Sequence, residues 1–137
     1  MAAGQARSCR GPDRGMAAKD RAQRPVLRAC GRARRDLALA GALATRGLGQ
    51  GDHVALLAEN RVEWPIVQMA CAALGAVFVP LNTHYRKDDL AYALKQSDSK
   101  ALICSTQYRS NPYLENVREL RPGLPLLAHV FTLEEDY

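Results

Sequence analysis

The chain has 137 residues, enough for one domain, and 47% of them are hydrophobic, as in an ordinary globular core. This composition excludes a protein that is disordered throughout. The net charge of +5 is uneven, because about half of the Lys and Arg residues lie in the first 35 positions with only two acids, and the rest of the chain is slightly acidic. The globular part therefore gives no electrostatic reason to expect nucleic-acid binding.

The first segment, residues 1–31, is rich in Arg, Gly and Ala and has no helical or strand period. We expect a disordered basic arm, with the domain proper at residues 32–137. A mitochondrial transit peptide is the alternative, although Ser8 is the only serine of this segment and Pro12 and Pro25 interrupt helices. For a nucleic-acid-binding arm, the segment lacks aromatic residues that could stack on bases. The arm has no apolar core of a secretory signal, and Met16 is a second plausible start.

Residues 34–46 have an Ala-rich helical period, and Gly47 suits the left-handed position after a helix. The face predicted to be apolar consists of Leu37, Ala40, Leu43 and Ala44. Three glycines at positions 47, 49 and 51 invite a nucleotide-loop interpretation. They follow a helix and lead into a strand, the reverse of a dinucleotide fingerprint, so we interpret them as chain-reversal glycines.

The central stretch, residues 51–82, predicts a strand at 53–58, a helix at 62–74 and a strand at 76–81. Asn60 and Glu63 have the spacing of a capping box, although Pro65 favours a later helix start. The helix is apolar on more faces than one sheet covers. We therefore expect exposed apolar surface or an open sheet edge, association of the chain alone, and a partly accessible Trp64.

The second half alternates in the same way, with a helix at 88–97, a strand at 100–104, a helix after Asn111-Pro112 that reaches Leu120, and a strand at 129–133. Alternating strands and helices predict an α/β fold with a parallel sheet and covering helices. Asn60 and Asn82 follow strands and would lie at the carboxyl edge, where ligands bind in such sheets, although cap and turn roles are the simpler interpretation.

Metal-ligating residues do not form a recognisable site in this sequence. The cysteines have no CxxC spacing and no matching pair of histidines, so a zinc site is not predicted. We expect Cys71 and Cys104 to be buried, reduced thiols, which suits a reducing compartment. The longest apolar run, residues 66–81, is too short for a membrane-spanning helix. The cysteines are Cys9, Cys30, Cys71 and Cys104, and the histidines are His53, His84 and His129.

Three stretches, GDHVALLAENRVEW, CAALGAVFVPLN and YRKDDLAYALKQSDSKALI, resemble the N-terminal part of the AMP-forming acyl-CoA synthetases, among the adenylate-forming enzymes. The resemblance covers residues 35–131. It implies the N-terminal subdomain of the adenylate-forming fold, with an incomplete parallel sheet. The family usually has a Ser or Thr cap followed by Pro where this chain has Arg86-Lys87, so the usual cap of that helix is lost here.

For a full-length relative, the resemblance implies ATP, magnesium and CoA as cofactors and a carboxylic acid, a fatty acid in particular, as substrate. The family's Ser/Thr/Gly-rich loop ending in Pro-Lys, its magnesium-binding acid, its ribose-binding aspartate and its C-terminal lysine have no counterpart in this sequence. We therefore assign no catalytic, cofactor-binding or metal residue, and no cofactor, to this segment. Whether the chain alone is an enzyme stays open, and we expect it to be inactive.

The functional expectation is an N-terminal fragment of an acyl-CoA synthetase whose partner is the remainder of the synthetase chain. The alternative from another class is a non-catalytic, free-standing α/β binding or interaction module. Trp64 and the apolar residues after it raise a fatty-acid pocket as a hypothesis, but core packing is the commoner role of such residues. We expect a cytoplasmic location, or the mitochondrial matrix if the basic arm is a transit peptide, with no nucleic-acid partner and no transmembrane segment.

Overall fold

The computed structural model describes residues 24–133, with side chains from residue 34 onward. Strands and helices alternate as the sequence predicts. The elements are α1 (Arg24–Thr45), β1 (His53–Leu57), α2 (Glu63–Leu74), β2 (Val77–Pro80), α3 (Lys87–Gln96), β3 (Ala101–Ser105), α4 (Tyr113–Leu120), a 3₁₀ turn (Arg121–Gly123) and β4 (His129–Leu133). Residues 1–23 of the predicted arm lie outside the described residues, so the arm stays a prediction.

The four strands form one parallel sheet in the order β2-β1-β3-β4. Helices α1 and α2 cover one face and contribute to a core cluster with Val54, Leu56 and Ile103. Helices α3 and α4 cover the other face, where Ala55 and Leu57 lie in a second cluster. The central strands β1 and β3 are buried on both faces, which explains why they are continuous apolar runs. The predicted α/β fold with a parallel sheet is confirmed.

Helix α1 begins at Arg24, ten residues before the predicted start, and includes residues 24–31 that we assigned to the arm. Its buried face also differs from the prediction. Asp36, Ala40 and Leu43 are buried, whereas Leu37 is 65% exposed. An Ala-rich helix offers little contrast between its faces, so contact with α2 decides which face is buried. Gly47 follows the helix with φ of 79°, as predicted for a helix-ending glycine.

The start of α2 corrects the predicted capping box. The N-cap is Val62, not Asn60, and no side chain caps the helix. The carboxylate of Glu63 accepts a hydrogen bond from Arg61 Nε instead of returning to the Asn60 amide. With the first helical residue at Glu63, Pro65 falls in the first turn, where a missing N–H costs no helical bond.

The start of α3 has no Ser or Thr cap, as the Arg86-Lys87 pair predicts, whereas the start of α4 departs from the predicted Asn111 cap. Helix α3 begins at Lys87, and the Asp89 carboxylate accepts the Arg86 N–H at 3.3 Å. An acid in the first turn thus supplies part of the cap that the Arg86-Lys87 pair lacks. Asn111 does not cap α4, because its Oδ1 accepts a hydrogen bond from Asn116 Nδ2 at 2.9 Å while its Nδ2 donates to Tyr85 O at 2.9 Å. Pro112 takes the cap position instead of the first helical position.

The outer face of α2 leaves apolar side chains in solvent, as expected for a helix that is apolar nearly all round. Val62 is 67% exposed and Met69 is 53% exposed. Trp64 is half-buried: it packs edge-on against Phe78, with ring centroids 5.8 Å apart. The partial accessibility of Trp64 agrees with the prediction. Its membership of the core around β1 and α2 favours the packing interpretation over the fatty-acid pocket.

Replacement of Leu56 tests the dependence of the fold on its central strand. Leu56→Ala leaves a cavity where both faces of the sheet are covered, and we expect a loss of about 2–5 kcal/mol in the free energy of unfolding. The matched control, Leu37→Ala on the exposed side of α1, is expected to change it by no more than about 0.5 kcal/mol. Urea unfolding followed by circular dichroism measures both; equal losses would contradict the assigned faces.

Candidate functional site at the carboxyl edge of the sheet

The carboxyl ends of parallel strands meet at one edge of the sheet, which is where ligands bind in open α/β folds. In this chain the edge includes Glu59 after β1, Asn82 after β2 and Ser105 at the end of β3. Asn60 and Asn82 both follow strands, as the sequence predicted. These positions carry the polar side chains of the candidate site.

A buried arginine organises this edge. The side chain of Arg61 is only 8% exposed, and it pairs through Nη1 with Glu59 Oε1 and through Nε with Glu63 Oε2, both at 3.3 Å. The Ser105 hydroxyl donates to the other oxygen of Glu59 at 2.8 Å. The network thus links the end of β1, the start of α2 and the end of β3. Sequence reasoning missed it, although the alternation of charged residues at positions 59, 61 and 63 was a visible signal.

Tyr113 supports the same edge from α4. Its buried hydroxyl donates to Thr83 O at 2.6 Å and holds the loop after β2. Burial, chiefly, and then the negative charge of Glu59 raise the pKa of Tyr113 to about 12. The phenol therefore stays a neutral hydrogen-bond donor near neutral pH, and its role is to fix the loop after β2.

Of the two asparagines at this edge, Asn82 forms a hydrogen bond with the backbone and Asn60 does not cap a helix. Asn82 Oδ1 accepts the backbone N–H of His84 at 2.9 Å, an Asx turn of the kind the structural interpretation predicted. Asn60 is exposed and, as described above, does not cap α2. Neither residue contributes to the Arg61 network.

The residues at this edge do not fit ATP and magnesium, the groups implied for full-length relatives. Glu59 and Glu63, the acids nearest the strand ends, are both paired with Arg61. Within residues 34–133, no group of three or more His, Cys, Asp or Glu side chains is arranged to hold a metal ion. A magnesium ion would have to displace the arginine from its carboxylates. No step of a reaction is therefore assigned to this site.

The glycine turn lies at the opposite, amino edge of the sheet. Asp52 accepts the Gly49 N–H at 2.8 Å and Lys100 Nζ at 3.1 Å, and Lys100 also donates to Gly47 O. The Gly49 hydrogen bond, and then Lys100, hold the pKa of Asp52 below its usual value. These glycines shape a closed turn that is locked by an ion pair, in agreement with the chain-reversal interpretation.

The thiols of Cys71 and Cys104 are free and buried, as the sequence predicted. Burial raises the pKa of each from 9.0 to about 11. The side chains of Cys9 and Cys30 lie outside the described part of the chain. Among the helices that the structure describes, none is both long enough and apolar enough to cross a membrane.

Removal of Arg61 is expected to destabilise the fold through the carboxylates that it leaves unpaired. Arg61→Met should lower the free energy of unfolding by about 3 kcal/mol, at the low end for a broken buried pair because both glutamates are partly exposed. Adding Glu59→Gln and Glu63→Gln should recover part of the loss, since no buried charge remains. Arg118→Met, on the exposed side of α4, is the control; an equal effect there, or no recovery, would argue against the network.

The raised thiol pKa values predict both reactivity and pH dependence. In a Cys9→Ser, Cys30→Ser background at pH 8, Cys71 and Cys104 should react with a thiol reagent at least about 100-fold more slowly in the folded chain than in urea. Above pH 9 the unfolded chain loses thiol protons that the folded chain keeps, so stability should fall as pH rises from 9 to about 11. Adding Cys71→Ser and Cys104→Ser should reduce this fall; rapid labelling of the folded chain would contradict the burial.

The amino-acid sequence of this chain is similar to one protein family and to several named proteins. The profile of a family described as "AMP-binding enzyme" matches residues 33–136. The protein named "Putative acyl-CoA synthetase YngI" from Bacillus subtilis (strain 168) is 49% identical over 82 residues, 60% of this chain and 15% of that protein. "Medium-chain acyl-CoA ligase ACSF2, mitochondrial" from Danio rerio is 33% identical over 87 residues, 64% of this chain and 14% of that protein.

Solved structures show the same fold. The N-terminal domain of FACL13 from Mycobacterium tuberculosis is 26% identical with a TM-score of 0.68, covering 76% of this chain and 26% of that one. ATP-bound MatB from Rhodopseudomonas palustris is 29% identical with a TM-score of 0.63, covering 72% of this chain and 18% of that one. The chain thus spans about a seventh of the curated relatives it matches. With its family match extending over most of its length, the chain belongs to the AMP-binding enzyme family.

Proposed function

We propose that this chain is the N-terminal α/β scaffold of an acyl-CoA synthetase. Such an enzyme joins a carboxylic acid to ATP, forming an acyl-adenylate and releasing pyrophosphate, and then transfers the acyl group to the thiol of CoA and releases AMP. The observation that carries the proposal is the 49% identity over 82 residues to the B. subtilis protein with an acyl-CoA synthetase name. The partner of this scaffold is then the remainder of a synthetase chain.

The scaffold role agrees with the chemistry of the carboxyl edge. Acyl-adenylate formation develops negative charge on the α-phosphate, and that charge must be met by preorganised donors and metal. Here the buried side chain of Arg61 is already held between Glu59 and Glu63. ATP, magnesium and CoA therefore belong to the longer enzyme, and the chain by itself is catalytically inactive.

The substrate class follows the names of the relatives. One relative is named for medium-chain acyl groups and another for long-chain fatty acids, so a fatty acid is the proposed substrate of the whole enzyme. The proposed location is the cytoplasm. A mitochondrial matrix location is the alternative, which the mitochondrial ACSF2 relatives favour if the basic arm acts as a transit peptide.

A chimera tests the scaffold role directly. Residues 33–133 of this chain would replace the matching segment of the B. subtilis relative, and thioester formation from a fatty acid, ATP and CoA would be measured. We expect activity within about tenfold of the parent, because a scaffold contributes through folding and not through reacting groups. The control chimera carries Leu56→Lys, which places an unpaired charge in the core and should abolish activity.

The same assay checks the isolated chain. Incubated with ATP, magnesium, a fatty acid and CoA, the 137-residue protein should release no pyrophosphate above background. A rate of about 1 per second or more, typical of enzymes, would overturn the inactive-scaffold proposal. A folded but inactive chimera would instead argue that the segment does not fit the synthetase.

A free-standing interaction module is the second candidate, and one observation favours it. Both central strands are buried on two faces within residues 34–133, so the segment contains two filled core clusters of its own. A self-sufficient domain should unfold in one cooperative transition with coincident fluorescence and circular dichroism curves. Cooperative unfolding combined with an inactive chimera would move the conclusion to this candidate.

A further inference from the structure

An apolar cleft lies between the end of α3 and the loop that leads into β4. Its volume is about 150 Å³, and we call it the leucine cleft because Leu94, Leu124, Leu126 and Leu127 line it. Leu94, Leu124 and Leu127 are buried and belong to the core cluster on this face of the sheet, whereas Leu126 is 57% exposed. The cleft is therefore apolar and open to solvent.

Two opposite charges lie at the leucine cleft without partners. Lys95 and Asp98 both line it, and both are exposed. Neither side chain forms an ion pair or a hydrogen bond with any residue from 34 to 133. By contrast, Asp52 and Lys100, at the same amino edge of the sheet, pair with each other. The cleft thus offers one unpaired ammonium and one unpaired carboxylate beside an apolar surface.

Hydrogen bonds fix the turn that carries Asp98. The backbone of Asp98 is left-handed, with φ of 47°, a conformation that Asp adopts more readily than most residues. The N–H of the next residue, Ser99, donates to Leu94 O at 3.3 Å. From β1, the ring Nδ1–H of His53 donates to Ser97 O. The turn is therefore ordered before any ligand arrives, which lowers the entropic cost of binding.

We propose that the leucine cleft binds a free apolar α-amino acid of about the size of leucine. Such a ligand carries a carboxylate and an ammonium next to a branched alkyl group. The carboxylate matches Lys95, the ammonium matches Asp98, and the alkyl group matches the leucines that line the cleft. An apolar cavity of about this volume holds a benzene molecule, so the cleft has room for the four carbons of a leucine side chain.

The pair of charges favours a zwitterion over a ligand with a single charge. A fatty acid would pair its carboxylate with Lys95 beside the negative Asp98, and an alkylamine would pair with Asp98 beside the positive Lys95. A zwitterion pairs with both. The cleft lies near the amino ends of β3 and β4, away from the carboxyl edge, so its ligand would act through the stability of the fold and is independent of the synthetase role proposed above.

Titration of the full 137-residue chain with L-leucine, followed by nuclear magnetic resonance, tests the site. Backbone amide shifts should change at residues 94–99 and 123–127 with a dissociation constant of about 1–10 mM, since so small a ligand gains little binding energy at an open site. 4-Methylpentanoate lacks the ammonium and 3-methylbutylamine lacks the carboxylate, so each should bind at least about threefold more weakly. Glycine lacks the alkyl group and should not shift these amides at about 20 mM.

Charge variants test the two contacts separately. Asp98→Asn keeps a residue that tolerates the left-handed backbone, and Lys95→Met keeps a long side chain; each should raise the dissociation constant for L-leucine about three- to fivefold, as for an exposed ion pair. Asp88→Asn at the start of α3 and Arg118→Met on α4 make the same charge changes at exposed positions away from the cleft and should leave it unchanged. No leucine-dependent shifts at about 20 mM, equal binding of either analogue, or equal effects of the variants and their controls would each overturn the proposal.

Discussion

The fold depends on the burial of two adjacent parallel strands, in which only His53 at the start of β1 is partly exposed. β1 and β3 have no solvent-facing side, so each must be covered by helices on both faces. This requirement explains why α1 and α2 pack on one face and α3 and α4 on the other, and why each connection crosses over with a helix. Within residues 24–133, β2 and β4 each have one neighbouring strand, and their side chains are more exposed than those of β1 and β3.

The same constraint determines what the carboxyl edge can do. Charged side chains that follow a buried strand enter a region of low dielectric, where an unpaired carboxylate is costly. Arg61 meets this requirement for Glu59 and Glu63 together, and Ser105 satisfies a further oxygen of Glu59. The charged side chains of this site thus pair with one another. An edge of this kind stabilises the junction of β1, α2 and β3, and it leaves little binding capacity for a cation or a phosphate.

The sequence predicted the strands and helices well wherever apolar periodicity was strong, and β4 was predicted at its observed bounds. It failed where the decision depended on tertiary contacts. The buried face of α1 could not be predicted from sequence, because alanines on all sides make the faces of the helix similar in hydrophobicity. Leu37 was predicted to point inward, although α2 contacts the other side of α1. The caps predicted at Asn60 and Asn111 did not form, because Glu63 accepts from Arg61 and the Asn111 oxygen accepts from Asn116 Nδ2. The Arg61 network needs residues from three elements and has no local signature beyond alternating charge.

The residues that carry the family resemblance are mostly those that pack between sheet and helices. Strand β1 and the inner face of α2, with Val67, Ala70 and Cys71, are buried, and buried positions respond to volume and polarity and not to a ligand. Any enzyme built on this scaffold keeps the same requirement, whichever acid it activates. High identity over this segment therefore identifies the family with little information about substrate. Discrimination between acids must come from side chains that contact the acyl group, and these are side chains that are not needed for packing of the core.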